Sequence, residues 1–300
     1  MKQGAAANGS SKDRPTLLPH APDELTRGRL RRLGEGIGKV VYASDHWVVR
    51  RERSGTEIMA LIVVWKLIRK LERVLPGGAA DRLLAHPSRQ IRILRVLMQA
   101  LVLIVPRGLW FASHAGDVWR VYLRRDIRGE KLAAQHLRGT PFVPLRIEFP
   151  PVRVAVGGWP GWLTVSEAVE RVEATLHQRL VELAREGRFG EIEKWLDRLL
   201  ELRQEGWKLG VFSMDAHLKN FGVTGDRVVL LDAGGLTDRW AEVEGRLSFE
   251  AVATQPHIQL GLGGVLAARP EIAERFDQRW KAVVNRERVL SHWPEDRLPA

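Results

Sequence analysis

Three polar side chains lie close together in the last third of the sequence, and their chemical types suit phosphoryl transfer. Asp215 and Asn220 are five residues apart on a predicted loop. The apolar run 227–231 predicts a strand ending at Asp232, and the turn at 224–226 predicts a hairpin that returns this aspartate to the loop. A carboxylate can accept the proton of an attacking hydroxyl, and Mg²⁺ prefers carboxylate and amide oxygens. Asp215 is therefore a candidate base, and Asn220 and Asp232 are candidate magnesium ligands.

Each of these residues also has a purely structural interpretation. Asp215 and Asn220 could cap a turn, and Asp232 could begin a loop after a strand. Their joint spacing, with a strand where the chemistry needs one, favours the catalytic interpretation. For His217, within the same loop, we expect a hydrogen-bonding role rather than a direct chemical one.

The sequence D-A-H-L-K-N at 215–220, followed by D-A-G at 232–234, resembles the catalytic loop and metal-binding turn of the protein-kinase-like superfamily. The resemblance implies that Asp215 is the catalytic aspartate and that Asn220 and Asp232 bind metal, with Ala233 replacing the family's phenylalanine. His217 is more similar to aminoglycoside- and sugar-phosphorylating members, and the bacterial lipopolysaccharide-core kinases are the nearest group. ATP and Mg²⁺ are the cofactors that the resemblance implies.

A glycine-rich segment near the start of the folded region resembles the phosphate-covering loop of the same superfamily. Gly34, Gly36 and Gly38 lack side chains, so backbone amides could approach phosphates there. The family has a lysine on its third strand, where this chain offers Arg50, and Lys39 directly after the glycines is the alternative cation. A solvated basic strand edge is the structural alternative for both.

Other positions depart from the family pattern. Ser213 and Met214 replace the histidine and arginine that usually precede the catalytic aspartate. In the family, a glutamate on the helix after the third strand pairs with the strand lysine, and Glu57 and Glu72 are the two candidates for it here. The family's A-P-E sequence does not follow Asp232. The substrate-binding half of a full protein-kinase lobe is thus reduced or absent, which keeps a nucleotide-binding pseudokinase as an alternative.

Composition indicates a globular chain, and its scattered arginines indicate either a solvated basic surface, which we favour, or anionic partners. Hydrophobic residues make up 45% and charged residues 28%, and the net charge of +11 favours nucleotide phosphates, nucleic acid or acidic lipid. Nucleic acid is the least favoured of these, because no zinc-ligand spacing or aromatic RNA-binding signature is present. The absence of cysteine excludes disulfides and thiolate metal sites. The first residues lack a secretory signal, so we expect a cytoplasmic protein.

The predicted fold class is α+β, as a two-lobed, protein-kinase-like fold with a small β-rich N-lobe and a reduced helical C-lobe. The sequence predicts three regions. Residues 1–28 are a flexible tail, residues 29–157 form the N-lobe with a helical insertion, and residues 158–300 form the C-lobe with the expected catalytic loop.

Within these lobes, the pattern predicts strands at 39–44, 47–50 and 118–123. Five prolines at 140–162 predict an irregular connection between the lobes. The pair Thr164 and Glu167 predicts a capping box that opens a helix reaching about residue 186.

Two apolar segments with basic residues, 58–75 and 91–105, predict helices. We expect both to be buried in the smaller lobe. The alternative is peripheral contact with an anionic membrane, in which arginine stems would reach up to the headgroups.

Three functional hypotheses follow. The first is an ATP-dependent kinase acting on a hydroxyl of a small molecule, a sugar or glycoconjugate, or a protein. The second is a nucleotide-binding pseudokinase that regulates a partner. The third is a basic membrane-surface or nucleic-acid binding protein with structural aspartates, and it does not explain the spacing around Asp215.

Overall fold

The structure is a computed structural model in which only part of the chain is described. The described residues are 16–35, 38–54, 57–58, 127–158, 160–252 and 255–298. Gly36, Glu72, the predicted helix at 91–105, the predicted strand at 118–123 and most of the predicted helix at 58–75 lie outside these residues. The described chain confirms a mixed α+β architecture.

The chain divides into two compact units, each discontinuous in sequence. The described parts of the first unit are residues 16–18, 127–148 and those from 169 onward. Those of the second unit are residues 19–58 and 149–168. The predicted boundary at 157/158 therefore differs from the observed division, which places 127–148 with the later helices.

The second unit is built on a sheet with the strand order β1-β5-β2-β3-β4-β6, and β5 also pairs with β6. Its strands are β1 Thr16–Leu17, β2 Arg29–Glu35, β3 Lys39–Ala43, β4 Trp47–Glu52, β5 Arg146–Val156 and β6 Trp162–Glu170. β1 pairs with the first residues of β5, which belong to the first unit. The extra β5–β6 pairing closes the five strands from β5 to β6 into a ring.

The two predicted strands of the glycine-rich region are confirmed as β3 and β4, which pair in antiparallel register. From Lys39 to Tyr42 in β3, Val40 and Tyr42 are buried, while Lys39 and Val41 are half-buried. This alternation is what a strand with one face on a core requires. β2 precedes them and pairs with β3 in the same antiparallel manner.

Two sequence predictions that fall on β5 and β6 are wrong, the second of them only in part. The proline-rich stretch is not an irregular connection, because it contains the long strand β5, with Pro150 and Pro151 exposed in its middle. The predicted helix from Thr164 to about residue 186 begins as the strand β6, because pairing with neighbouring strands outweighs the local capping-box pattern. Only its last part, Leu176–Arg185, is helical, and a different capping box opens it, in which Thr175 and Gln178 exchange side-chain-to-backbone hydrogen bonds.

Part of the predicted tail is also structured. Thr16 and Leu17 form β1, and residues Asp23–Thr26 form the short helix α1, with Leu25 fully buried. Residues 16–28 therefore belong to the folded protein.

The first unit is mainly helical. Its helices are α2 Leu176–Arg185, α3 Phe189–Lys208, α4 Trp240–Val252, α5 Pro256–Gln259, α6 Pro270–Val283 and α7 Arg286–His292. Helical residues 127–132 precede them and continue as a π-helical segment, Ala133–Leu137. Short 3₁₀ turns cover Leu218–Asn220 and Glu295–Arg297.

Five short strands lie among these helices: β7 Ala174–Thr175, β8 Phe212–Ser213, β9 Phe221–Thr224, β10 Arg227–Leu230 and β11 Leu236–Thr237. β9 pairs with β10 and β7, and β8 pairs with β11. Trp207, Phe212, Leu218 and Phe221 are buried in one hydrophobic core with the helices. The segment from 212 to 237 is thus fixed to the core at several points.

Candidate active site

The loop that carries Asp215 leaves the core at β8 and is shaped by its own polar groups. The hydroxyl of Ser213 donates to the carbonyl of Asp215 at 3.0 Å, and the amide of His217 donates to Asp215 Oδ1 at 3.1 Å. The Asp215 side chain is exposed. One carboxylate oxygen therefore orders the loop while the group remains accessible to a ligand.

Asn220 links this loop to the chain that carries Asp232. Its side-chain amide donates to the carbonyl of Asp215 at 3.4 Å. Its own carbonyl accepts from the amides of Leu231 and Asp232, at 2.8 and 3.3 Å. The three residues identified from the sequence are thus brought together. Because the Asn220 nitrogen donates to the main chain, Oδ1 remains as the acceptor that a metal needs.

The predicted hairpin is confirmed and delivers Asp232. β9 and β10 pair in register from Phe221 opposite Leu230 to Thr224 opposite Arg227. Gly225 in the turn has a φ of 58°, which a glycine adopts without steric cost. The exposed Asp232 then accepts a hydrogen bond from the Gly234 amide at 3.0 Å.

The turn after Asp232 is attached to the start of the 215–220 loop. β11 pairs with β8, with Leu236 opposite Ser213. The amide of Met214 also donates to the carbonyl of Gly235 at 2.8 Å. With the bonds of Asn220, both ends of the loop are therefore tied to the Asp232 segment.

The helical residues 127–132 support the same turn, which the sequence did not indicate. A Cβ added at Gly129 would lie 1.8 Å from the carbonyl oxygen of Ala233, so the helix touches the turn directly. The neighbouring Arg128 bridges Asp238 at 2.6 Å and Glu242 at 2.9 Å.

Arg128 also changes the titration of its partners. Burial alone would raise the pKa of Asp238 and of Glu242, but the hydrogen bonds that these carboxylates make, with Arg128 among the donors, outweigh it and lower both pKa values. Carboxylates with lowered pKa values stabilise the folded state above their unfolded pKa, and this contribution is lost as the pH falls.

His217 packs inside the loop. Its Nδ1 accepts from the amide of Lys219 at 3.3 Å, and a Cβ at Gly261 would lie 2.8 Å from Nε2. His177 lies 6.5 Å away between ring centroids. The pKa of His177 is lowered by burial and by the charges of Lys219 and His217.

A short helix holds the loop from the other side. The Leu260 carbonyl, directly after α5, accepts from the amide of Leu218 at 3.1 Å. Asp277 on α6 is 8% exposed, and its two oxygens contact the amide and Nδ1 of His257, each at 2.7 Å. Asp277 therefore anchors α5, and α5 anchors the loop.

We expect Asp277→Ala to lower the free energy of unfolding by about 1–3 kcal/mol, because two partly buried hydrogen-bonding groups of His257 lose their partner. Urea unfolding followed by circular dichroism measures this. Asp197→Ala is the matched control, since Asp197 makes an exposed ion pair with Arg279 that should contribute about 0.5 kcal/mol or less. Equal losses in the two variants would contradict the anchoring role.

Arg203 on α3 joins two of the elements around the loop. It is 3% exposed, and its guanidinium lies 4.9 Å from the ring centroids of both Phe212 and Trp280. A cation between two aromatic rings fixes β8 and α6 relative to α3. Neither its burial nor its stacking could be predicted from the local sequence.

Gly34, the first of the three glycines, lies on a strand rather than in a turn. Gly34 is in β2 opposite Val41, and Val41 is opposite Arg50 on β4, so these three share one sheet face. The Gly38 carbonyl accepts from the Arg53 amide at 2.7 Å. Lys39 lies opposite Glu52.

On β4, the arginine that pairs with Glu57 is Arg51, one residue beyond the predicted Arg50. Its guanidinium forms two hydrogen bonds of 3.0 Å with the Glu57 carboxylate, and both side chains are about four-fifths buried. Burial alone would raise the pKa of Glu57, but Arg51 and Ser54 outweigh it and lower that pKa. Glu57 is thus paired with a strand arginine, and Glu72, the other candidate, lies outside the described residues.

No cluster of three or more His, Asp or Glu side chains suited to a metal occurs in the part of the chain that the structure describes. Asn220 and Asp232 supply one amide oxygen and one carboxylate, a set that suits Mg²⁺ only together with phosphate and water oxygens.

None of the helices within the described ranges combines the length and the apolar character that crossing a membrane requires.

No protein-family model matches this sequence, and searches of curated proteins and of solved structures likewise give no match.

Proposed function

We propose that this protein is an ATP-dependent phosphotransferase with a two-lobed, protein-kinase-like arrangement. The observation that carries the proposal is the bonding of Asn220 to both the Asp215 loop and the Asp232 strand. This convergence unites a candidate base with two candidate magnesium ligands. The division of the chain into two compact units supports the two-lobed arrangement.

Each residue then has a defined task. Asp215 would orient the acceptor hydroxyl and take its proton, while Asn220 and Asp232 would hold Mg²⁺ through oxygen atoms. ATP with Mg²⁺ supplies the phosphoryl group when bound. Backbone amides near Gly34 and Gly38 are the candidate phosphate donors of the second unit, where an added Cβ would meet nothing within 4 Å.

The Arg51–Glu57 pair is a second support. Protein kinases pair a strand lysine with a helix glutamate, and that ion pair must be in place for activity. Arg51 lies on β4, the third strand of the antiparallel run from β2, and pairs with a glutamate in the first turn of the next helical segment. We assign the strand cation of this protein to Arg51, with Arg50 and Lys39 as the alternatives.

A pseudokinase is the second candidate function, and one observation favours it. Both terminal nitrogens of Arg51 are hydrogen-bonded to Glu57, so the guanidinium has less freedom to reach a phosphate than a lysine ammonium would have. Tight Mg²⁺–ATP binding without transfer to any hydroxyl compound would favour this function.

We expect Mg²⁺ with ATP to raise the melting temperature by several degrees, because a ligand at 100 times its Kd stabilises the folded state by about 2.7 kcal/mol. Asp232→Asn should lose the magnesium-dependent part of this shift. Asp226→Asn, at the exposed tip of the β9–β10 hairpin, is the matched control and should keep it. A wild-type melting temperature that ATP leaves unchanged would overturn the proposal.

A further inference from the structure

We propose that a groove between α3 and the open edge of β10 binds an extended peptide segment of a partner protein, which adds to β10 as a further strand. The groove lies wholly within the first unit and has a volume of about 470 Å³. That volume is in the range of clefts that bind ligands in proteins. Such docking would be a further function that does not depend on the proposed phosphotransfer.

The backbone of Val228 is what gives β10 an open edge. Among the described strands, β10 pairs only with β9, and in an antiparallel pair the backbone groups of successive residues point alternately towards and away from the partner strand. The amide of Leu230 donates away from β9, to the Phe142 carbonyl at 2.8 Å. The amide and carbonyl of Val228, two residues earlier, therefore point the same way.

These two backbone groups of Val228 have no hydrogen-bond partner in the described part of the chain. Val228 lines the groove and is only 4% exposed. An unpaired backbone group at a buried position costs about as much free energy as a lost hydrogen bond. A ligand that supplies one acceptor and one donor, spaced as in an extended chain, is therefore favoured at this edge.

Contacts between α3 and its neighbours fix the shape of the groove before a ligand arrives. Arg198 on α3 lies 3.7 Å from Asp226 at the tip of the β9–β10 hairpin. Further along α3, Phe142 packs against Gly206, where an added Cβ would lie 3.0 Å from the phenylalanine ring. A groove that is formed in advance loses little conformational freedom on binding.

The floor of the groove is apolar and is formed by Phe142, Leu202, Leu209 and Val228. The lining residues of α3 span about 16 Å at the rise of an α-helix. About five residues of an extended chain cover that length. Because the side chains of a strand alternate, an apolar side chain of the segment can face the floor while its neighbours face the rim.

Charge on the rim indicates what flanks the apolar side chain. The lining has three cationic and three acidic side chains, so it does not share the basic character of the whole chain. The pair at the hairpin tip and the pair of Lys208 with Glu205, at 2.6 Å, account for four of them. The exposed Glu201 and Arg227 make no ion pair within the described ranges. A segment with one basic and one acidic side chain complements these two.

A peptide meets all of these requirements together. Strand addition obtains affinity from main-chain hydrogen bonds and specificity from alternate side chains. The open edge at Val228 supplies the first, and the apolar floor with the rim charges supplies the second. The occupant is thus an extended segment with an apolar residue between a basic and an acidic one.

Selection from a phage-displayed library of short random peptides tests the proposal on the full chain. We expect the selected peptides to share an apolar residue placed between a basic and an acidic residue. Fluorescence anisotropy with labelled synthetic copies measures the Kd. Failure to recover any peptide that binds the wild-type chain would overturn the proposal.

Reversal of the two rim charges tests whether the peptides bind in the groove. The double variant Glu201→Lys with Arg227→Glu should weaken binding about 10-fold or more, since two ion pairs become repulsions. Peptides with the basic and acidic residues exchanged should regain part of the affinity. The matched control, Glu274→Lys with Arg288→Glu, makes the same changes at exposed positions of α6 and α7 outside the groove and should bind like wild type. The melting temperature shows whether each variant is folded.

Backbone N-methylation of a selected peptide, one position at a time, tests strand addition itself. Methylation of the amide that donates to the Val228 carbonyl should weaken binding about 10-fold, the loss expected for one hydrogen bond with its acceptor left unpaired. The adjacent amides point to the other side and should tolerate the methyl group.

The contrary results are clear. Equal binding by wild type and the rim-charge variant, or tolerance of N-methylation at every position, would overturn the proposal. A wild-type dimer in sedimentation that the rim-charge variant loses would mean that a second copy of the chain occupies the groove, and would also overturn it. Failure of Mg²⁺–ATP to bind would bear on the proposed phosphotransfer alone.

Discussion

Asp215→Asn should reduce phosphoryl transfer about 100- to 10,000-fold, the range attributed to a positioned general base. The substitution keeps the size of the side chain and leaves an oxygen that can accept from the His217 amide, so the loop should keep its shape. What it removes is the carboxylate that we propose takes the hydroxyl proton. Release of ADP coupled to formation of the phosphorylated product measures the rate.

Two further measurements separate chemistry from folding. The melting temperature and the stabilisation by Mg²⁺–ATP should both stay at wild-type values in Asp215→Asn, because this residue is exposed and is not one of the two proposed metal ligands. Asp226→Asn, which changes an exposed aspartate on the nearby hairpin tip, should transfer phosphate at the wild-type rate. Turnover of Asp215→Asn within twofold of wild type would refute the role of Asp215 as base.

Gly129→Ala should destabilise the protein by about 2–4 kcal/mol, the cost of forcing extra atoms into packed space. The new Cβ would lie 1.8 Å from the Ala233 carbonyl oxygen and 3.0 Å from Gly234 Cα, and backbone atoms cannot swing aside as a side chain can. The turn that holds Asp232 must therefore move. We expect stabilisation by Mg²⁺–ATP to fall together with the free energy of unfolding in urea.

Gly245→Ala is the control for this substitution. Gly245 lies within α4, and a Cβ there would meet nothing within 4 Å. Alanine is favoured over glycine in a helix by about 0.5–1 kcal/mol, so this variant should be more stable than wild type. If Gly129→Ala gained stability in the same way, the contact between helical residues 127–132 and the turn after Asp232 would contribute nothing to stability.

The local parts of the candidate site were predictable because short-range interactions form them. The β9–β10 hairpin depends on a two-residue turn containing Gly225 between two short apolar runs. The turn and the two runs together span about ten residues. The loop at 215–220 is shaped by hydrogen bonds between residues two to five positions apart. Residue types at such spacings carry most of the information that this geometry needs.

The choice between Arg50 and Arg51 shows the limit of that approach. Successive side chains of a strand point to opposite faces, so a difference of one residue decides which arginine reaches Glu57. The pairing of Val40 with Arg51 and of Val41 with Arg50 sets the faces. Only the register of the assembled sheet provides this information.

The sequence by itself determined that Asp215, Asn220 and Asp232 belong to one loop and hairpin, because their spacing and the glycine turn act locally. Tertiary structure alone decided how that segment is supported. Arg128 meets Glu242 across 114 positions, Asp277 meets His257 across 20, and Pro150 and Pro151 enter a strand through pairing with distant segments. Such contacts form only when folding brings remote segments together, since their energy depends on burial and geometry that no local pattern contains.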